Sequence, residues 1–229
     1  MVGGSEEVAK QTDFIKLRGG RTLFHAGRVA RSLGLEPNIF VTIRFWETSV
    51  SATETSEAFS QIRAKFGKWI QRPSRRFAEY VAPPTFLWVI ENPKDEGFIH
   101  AHWLVFVPPA RHHDFAHKLY KWLTSIARVY SPQPIHIEPV DALVGAVEYM
   151  LKGQFPSLAR YHGIRPEPQG WVTGKRSGCS ENIGPTQHAS LWRAGKHPRP
   201  QRWQINKYQP RLLAVPVQSK PAFRKCTGS

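Results

Sequence analysis

Acidic residues are scarce in this chain. Its 229 residues hold 17 Asp and Glu against 32 Lys and Arg, a formal net charge of +15. Sulfur is equally thin, with two Met and two Cys. Cys179 and Cys226 stand far apart in polar surroundings, so the chain does not read as a disulfide framework and a reducing interior is expected. No apolar run approaches the ~20 residues of a membrane span, and Met1–Glu7 does not read as a signal peptide. A cytoplasmic protein without a membrane partner is therefore expected. A Gly-x-x-x-x-Gly-Lys-Ser/Thr phosphate loop is also missing, since Gly174-Lys175-Arg176 runs on into the wrong residue types. That absence excludes a nucleotide-driven motor of this type.

What the chain does have is a sizeable core and a lopsided charge. Hydrophobic residues make up 41%, enough for one moderate domain with extensions. Residues 153–229 carry 13 Lys and Arg against only Glu167 and Glu181, whereas residues 1–152 carry 19 against 15. Such an imbalance points to a polyanion, nucleic acid first, although a solvated basic tail has the same composition.

The order of elements is readable from periodicity. Phe40–Phe45 is β-branched and aromatic, and predicts a strand. Ser51-Ala52-Thr53-Glu54 has capping-box spacing, and Phe59, Ile62, Phe66, Trp69 and Ile70 follow at helical intervals up to Arg72-Pro73. Phe86–Glu91 predicts a second strand, Asn92–Gly97 a turn and Gly97–Val107 a third strand, paired with the second as a hairpin. A helix from about Arg111 to Val129, a short strand at Ile135–Glu138, and a helix from Ala142 to Lys152 complete the series. Asp141 is the expected cap of that last helix and Gly153 its expected stop. The order is β-α-β-β-α-β plus a helix. It predicts an α+β, ferredoxin- or RRM-like antiparallel sheet with helices packed on one face. Residues 38–153 form the expected domain. Residues 1–37 form an N-terminal extension with at most a short basic helix over 22–33. Residues 154–229 form a basic, Trp-, Pro- and Gly-rich extension, partly ordered.

The chemistry centres on His100-Ala101-His102. Alternate residues of a strand share a face, so both imidazoles project together, about 7 Å apart along the backbone, close enough to meet one metal ion. A third ligand is needed, and the hairpin brings Glu91 beside the pair, with Asp95 and Glu96 as competitors. Tyr149 and Lys152, three apart on the last helix, share a face. Tyr149 is a candidate nucleophile towards a phosphodiester, and Lys152 a candidate charge stabiliser. A Tyr on an amphipathic helix is just as readily a boundary residue, and Lys152 has Glu148 as a possible i,i+4 partner. In the C-terminal region Trp171, Trp192, Trp203 and Tyr208 alternate with cations that include Lys175, Arg176, Arg193 and Arg202. That interleaving suits single-stranded DNA, and it also suits packing of Trp171 and Trp192 on the domain.

Three segments in order resemble the motifs of HUH endonucleases, in the branch of rolling-circle replication initiators. They are Phe40-Val41-Thr42-Ile43-Arg44, His100-Ala101-His102 and Tyr149-Met150-Leu151-Lys152. The likeness spans roughly residues 38–153. It implies a site- and strand-specific nicking and joining enzyme on single-stranded or origin-hairpin DNA. Mg²⁺ or Mn²⁺ would be held by His100, His102 and Glu91, Tyr149 would form a 5′-phosphotyrosine link assisted by Lys152, and Thr42 and Arg44 would help bind DNA. A separate helicase and a host polymerase are then implied as partners, in a prokaryotic cytoplasm. Two alternatives stay open: a single-tyrosine transposase or relaxase, and a non-catalytic single-strand-binding regulator.

Overall fold

A computed structural model describes residues 10–73, 81–93 and 97–196. The candidate ligands Asp95 and Glu96, the cation Arg202, the aromatics Trp203 and Tyr208, and Cys226 lie outside the described residues. The elements in chain order are β1 (Gln11–Thr12), α1 (Leu17–Ser32), β2 (Ile39–Arg44), α2 (Thr55–Ile70), β3 (Phe86–Glu91), β4 (His100–Val105), α3 (His112–Thr124), β5 (Ile135–Pro139), α4 (Leu143–Leu151), α5 (Pro156–Tyr161), β6 (Val172–Thr173), β7 (Ser177–Cys179) and α6 (Pro185–Arg193).

The fold is α+β, built on a five-stranded antiparallel sheet in the order β5-β2-β4-β3-β7. Without β7 this is the split β-α-β arrangement expected from the element order. The β3–β4 hairpin sets Glu91 opposite His100 and Val89 opposite His102, while β2 sets Thr42 opposite His102 and Arg44 opposite His100. The expected capping box forms only in part: the Ser51 amide and hydroxyl both donate to Glu54 Oε2, at 3.1 and 2.6 Å, but Ser51 lies a turn before α2, whose preceding residue Glu54 gives no side-chain cap.

Helices cover both faces of the sheet, not one. Every residue of β3 and of β4 is buried, so neither face of these strands is left to water. On one face α2 and α3 bury Phe59, Ile62, Phe66, Phe115 and Leu119 against Val41, Trp88 and Trp103. On the other, α1 and α4 bury Leu23, Ala26, Val29, Leu143, Val147 and Met150 against Phe40, Leu87, Val89 and Leu104. Helix α1 is longer than the 22–33 segment legible in sequence. Its inward face mixes Leu23 and Val29 with the small residues Gly20, Ala26, Gly27 and Ala30, and its first turn, Leu17–Gly20, carries two glycines that read against a helix.

Two expectations at the ends of α4 fail. The residue preceding α4 is Ala142, and no side chain caps the helix. Gly153 does not take a left-handed stop conformation. It is a place of close approach, since a Cβ there would stand 2.9 Å from Gln169 Cγ, and its carbonyl accepts from the Ile15 amide at 2.8 Å.

Candidate metal centre and its surroundings

Strand alternation divides the sheet residues between the two faces. Thr42, Glu91, His100 and His102 fall on the α1/α4 face, at the end of the sheet beyond Phe40, Val89 and Leu104. His100 and His102 bring their Nε2 atoms to 3.2 Å of each other. Glu91 Oε2 lies 3.4 Å from each of them. All three side chains are buried or nearly so, with Glu91 2% exposed.

The other ring nitrogen of each His is fixed by the chain. His100 Nδ1 lies 2.9 Å from the Phe98 carbonyl and so carries the proton that it donates. His102 Nδ1 lies 3.0 Å from Thr42 Oγ1. When Thr42 accepts from Nδ1–H, both Nε2 lone pairs aim at the point that Glu91 also faces. Burial pushes the His102 pKa down to about 4, with His100 and Lys152 adding to the fall and Glu91 opposing it. The imidazole is therefore neutral at pH 7. Burial alone would raise the Glu91 pKa, but His102, His100 and Lys152 outweigh it and hold the carboxyl well below the usual range. It is thus an anion.

Two imidazole lone pairs and a carboxylate converging in a buried space repel one another unless a cation joins them. Both Glu91 oxygens are buried without a hydrogen bond, and the nearest cation is the Lys152 ammonium, 3.2 Å from Oε2. Donor spacings of 3.2–3.4 Å suit three ligands of one ion. Glu91, His100 and His102 thus form a group that can hold a metal ion.

Helix α4 delivers the other two candidate residues to the same place. The Tyr149 ring packs edge-on to His102 with centroids 5.3 Å apart and contacts Phe40 at 6.0 Å. The Lys152 ammonium stands 3.9 Å from the centre of the Tyr149 ring. Lys152 turns away from Glu148 and reaches Glu91, with Glu167 at 4.0 Å on its outer side. Burial would lower the Lys152 pKa, but Glu91 and then Tyr149 raise it above its ordinary value, so the charge persists.

The structure therefore brings together Glu91, His100, His102, Tyr149, Lys152 and Thr42. Arg44 lies at the edge, 3.3 Å from Glu47 and over the Trp46 ring at 5.9 Å. Arg176 is buried and spent on the chain itself, its guanidinium donating to the carbonyls of Ile90, Thr12, Gln169 and Gly170. Lys175 and Arg193 are exposed and remote in the chain from the ligands, and Arg202 lies outside the described residues.

Sequence reasoning overlooked the rim. Trp46, 37% exposed, meets His100 edge-on at 5.6 Å and Phe98 at 5.8 Å, and Phe98 is 46% exposed. The signal was available for Phe98, which shares the parity of His100 and His102. Trp46 escapes such reasoning because it lies in the single 3-10 turn Phe45–Glu47, where strand alternation has ended. The role of Thr42 as the partner of His102 needed the β2–β4 register, which no local pattern encodes. No helix among the described residues is long and apolar enough to cross a membrane. Compared with protein-family models, curated proteins and solved structures, the chain matches none.

Proposed function

We propose that this protein is a metal-dependent DNA nicking and joining enzyme that works through Tyr149 and initiates rolling-circle replication of a plasmid, phage or integrated element in a prokaryotic cytoplasm. The observation that carries the reading is the convergence of the Glu91/His100/His102 group with Tyr149 and Lys152. A metal group, a phenol and an ammonium within contact distance of one another make a set suited to phosphoryl transfer. Mn²⁺ fits two imidazole nitrogens and a carboxylate better than Mg²⁺ does, because Mg²⁺ prefers oxygen donors. When bound, the ion supplies Lewis-acid polarisation of the scissile phosphate.

The chain's own residues then divide the work. Thr42 and the Phe98 carbonyl hold the imidazoles in one tautomer and orientation. The Tyr149 oxygen attacks phosphorus, the bond to O3′ breaks, and the phenolic proton ends on the departing 3′-hydroxyl. The product is a tyrosyl 5′-phosphodiester and a free 3′ end, and the reverse step rejoins them. Lys152 keeps a positive charge beside the nucleophile throughout. Trp46 and Phe98 offer aromatic surface for an unstacked base at the rim. In this reading a helicase and a host polymerase are its partners for strand opening and synthesis.

Denaturing electrophoresis after incubation with Mn²⁺ and a randomised pool of single-stranded oligonucleotides tests this reading. A covalent protein–DNA adduct is expected, lost with EDTA and lost in Tyr149→Phe. Absence of any adduct, or its persistence in Tyr149→Phe, overturns the assignment and leaves a binding module.

A further inference from the structure

Helix α1 contains Arg18, Arg21, Arg28 and Arg31 and no acidic residue. Two of the four arginines are engaged, Arg31 with Glu36 at 2.7 Å and Arg28 over the Phe24 ring at 4.3 Å. Arg18 and Arg21 are exposed, and among the described residues no carboxylate pairs with them, with Lys16 or with Lys175. Uncompensated charge on one helix face needs a counter-charge from outside the chain.

These cations line three clefts that run into one another. The first, about 640 Å³, is floored by Phe14, Phe155 and Tyr161. Phe155 is 54% exposed and Tyr161 84%, and Phe14 meets Phe155 edge-on at 5.5 Å. It joins at Leu17 a second cleft of about 290 Å³ that holds Arg18, Arg21, His25 and His188. His25 and His188 face each other there from α1 and α6, with ring centroids 4.3 Å apart, and His25 Nδ1 has no partner. Arg18 and Thr22 then lead into the third cleft, about 720 Å³, bounded by Lys175 and the edge strand β7. Asp13 and Glu181 are the only carboxylates in the three linings.

We infer that this surface, from Phe155 and Tyr161 along the outer face of α1 to Lys175, is a track for a single strand of DNA. Exposed aromatics beside unpaired cations match a chain of stackable bases on an anionic backbone. An acidic peptide would match the cations and leave the aromatic floor without a counterpart. The chain leads directly from the candidate chemistry to the track, with Phe155 three residues after Lys152. Gly19 and Gly20 let α1 approach the segments on either side of it. A Cβ on Gly19 would stand 2.9 Å from Ser177 Oγ, and one on Gly20 would stand 2.9 Å from the Gln154 side chain. The inference rests on reading the site as one that acts on DNA, and it is tested by binding instead of cleavage.

Fluorescence anisotropy of the full chain in EDTA, with a labelled single-stranded oligonucleotide of roughly 20 nucleotides, gives the affinity and its salt slope. Arg18→Ala/Arg21→Ala is expected to bind about tenfold more weakly, with a log–log salt slope shallower by roughly 1.4, about 0.7 for each lost phosphate contact. Arg18→Lys/Arg21→Lys should restore the slope. Phe155→Ala/Tyr161→Ala should also weaken binding about tenfold, but at an unchanged slope. Lys121→Ala, an exposed cation on α3 across the sheet from the track, should bind as the parent does. Parent-like binding by both alanine pairs overturns the track, as does displacement of the oligonucleotide by an equally charged poly-glutamate at equal concentration. If adduct formation fails while these binding results hold, the nicking reading falls and the track stands. If adducts form while both pairs bind normally, the track falls and the nicking reading stands.

Discussion

Glu91 keeps its charge inside the protein, and the Lys152 ammonium is the group that neutralises it. Removing one partner of a buried ion pair leaves an uncompensated charge, at a cost of about 3 kcal/mol. Lys152→Met is therefore expected to destabilise the metal-free protein by about that amount in chemical denaturation. A divalent ion replaces the missing charge, so Mn²⁺ should raise the melting temperature of Lys152→Met by more than that of the parent. Differential scanning calorimetry with and without Mn²⁺ checks both statements, and a Glu91→Gln chain should show no Mn²⁺ shift.

Two imidazoles, His102 buried and His25 half-buried, give the metal-free protein a defined response to acid. His102 and His25 are each pushed down to about 4, by burial first, with His188 contributing at His25. In the unfolded chain both titrate near 6.5. Between these values the unfolded state holds more protons, so stability rises with pH across about 4 to 6.5 and is flat above. Thermal melts of metal-free protein should decline as pH falls through that window. His25→Gln should make the decline shallower.

At the scale of elements, packing tolerances decide what each strand can carry. Edge strand β7 lies over the indole of Trp88, and a Cβ on Gly178 would stand 3.0–3.1 Å from its atoms. Trp88 is fully buried and has no room to retreat. Gly178→Ala is expected to cost about 1–3 kcal/mol, measurable as a lower urea midpoint. By sequence alone β7 is invisible, because Ser-Gly-Cys has no strand propensity and its pairing depends on Trp88 beneath it. The β3–β4 hairpin is the opposite case. Two apolar runs around a Pro- and Gly-containing turn specify it locally, and its register then follows, which is why Glu91 could be placed beside the His pair from sequence. Tyr149 and Lys152 were legible as a shared helix face. Their arrival at the metal group was not, since it depends on α4 crossing the sheet next to α1, a tertiary contact that no local pattern encodes.

At the scale of the molecule, charge and metal group sit on different parts of one scaffold. The sheet presents the ligands on its α1/α4 face, while the cations of α1 and the segment after β6 stand outside it. Residues 197–229 lie outside the described residues, and their seven Lys and Arg add to the same excess.

The central place of β4 between β2 and β3 separates the site into two halves of unequal persistence. Backbone groups of β4 are bonded on both sides, so His100 and His102 share the protection of the last structure to open. Helix α4 packs on the sheet through Val147, Met150 and Leu151, and its C-terminal end is held outside the sheet, where the Lys152 and Gly153 carbonyls accept from the Glu167 and Ile15 amides. Amide hydrogen exchange should therefore be slowest at Ala101–Leu104 and measurably faster at Tyr149–Lys152. Under the proposed function, the residues that would hold the ion therefore outlast any local opening at Tyr149, and the site re-forms on a scaffold that has never come apart.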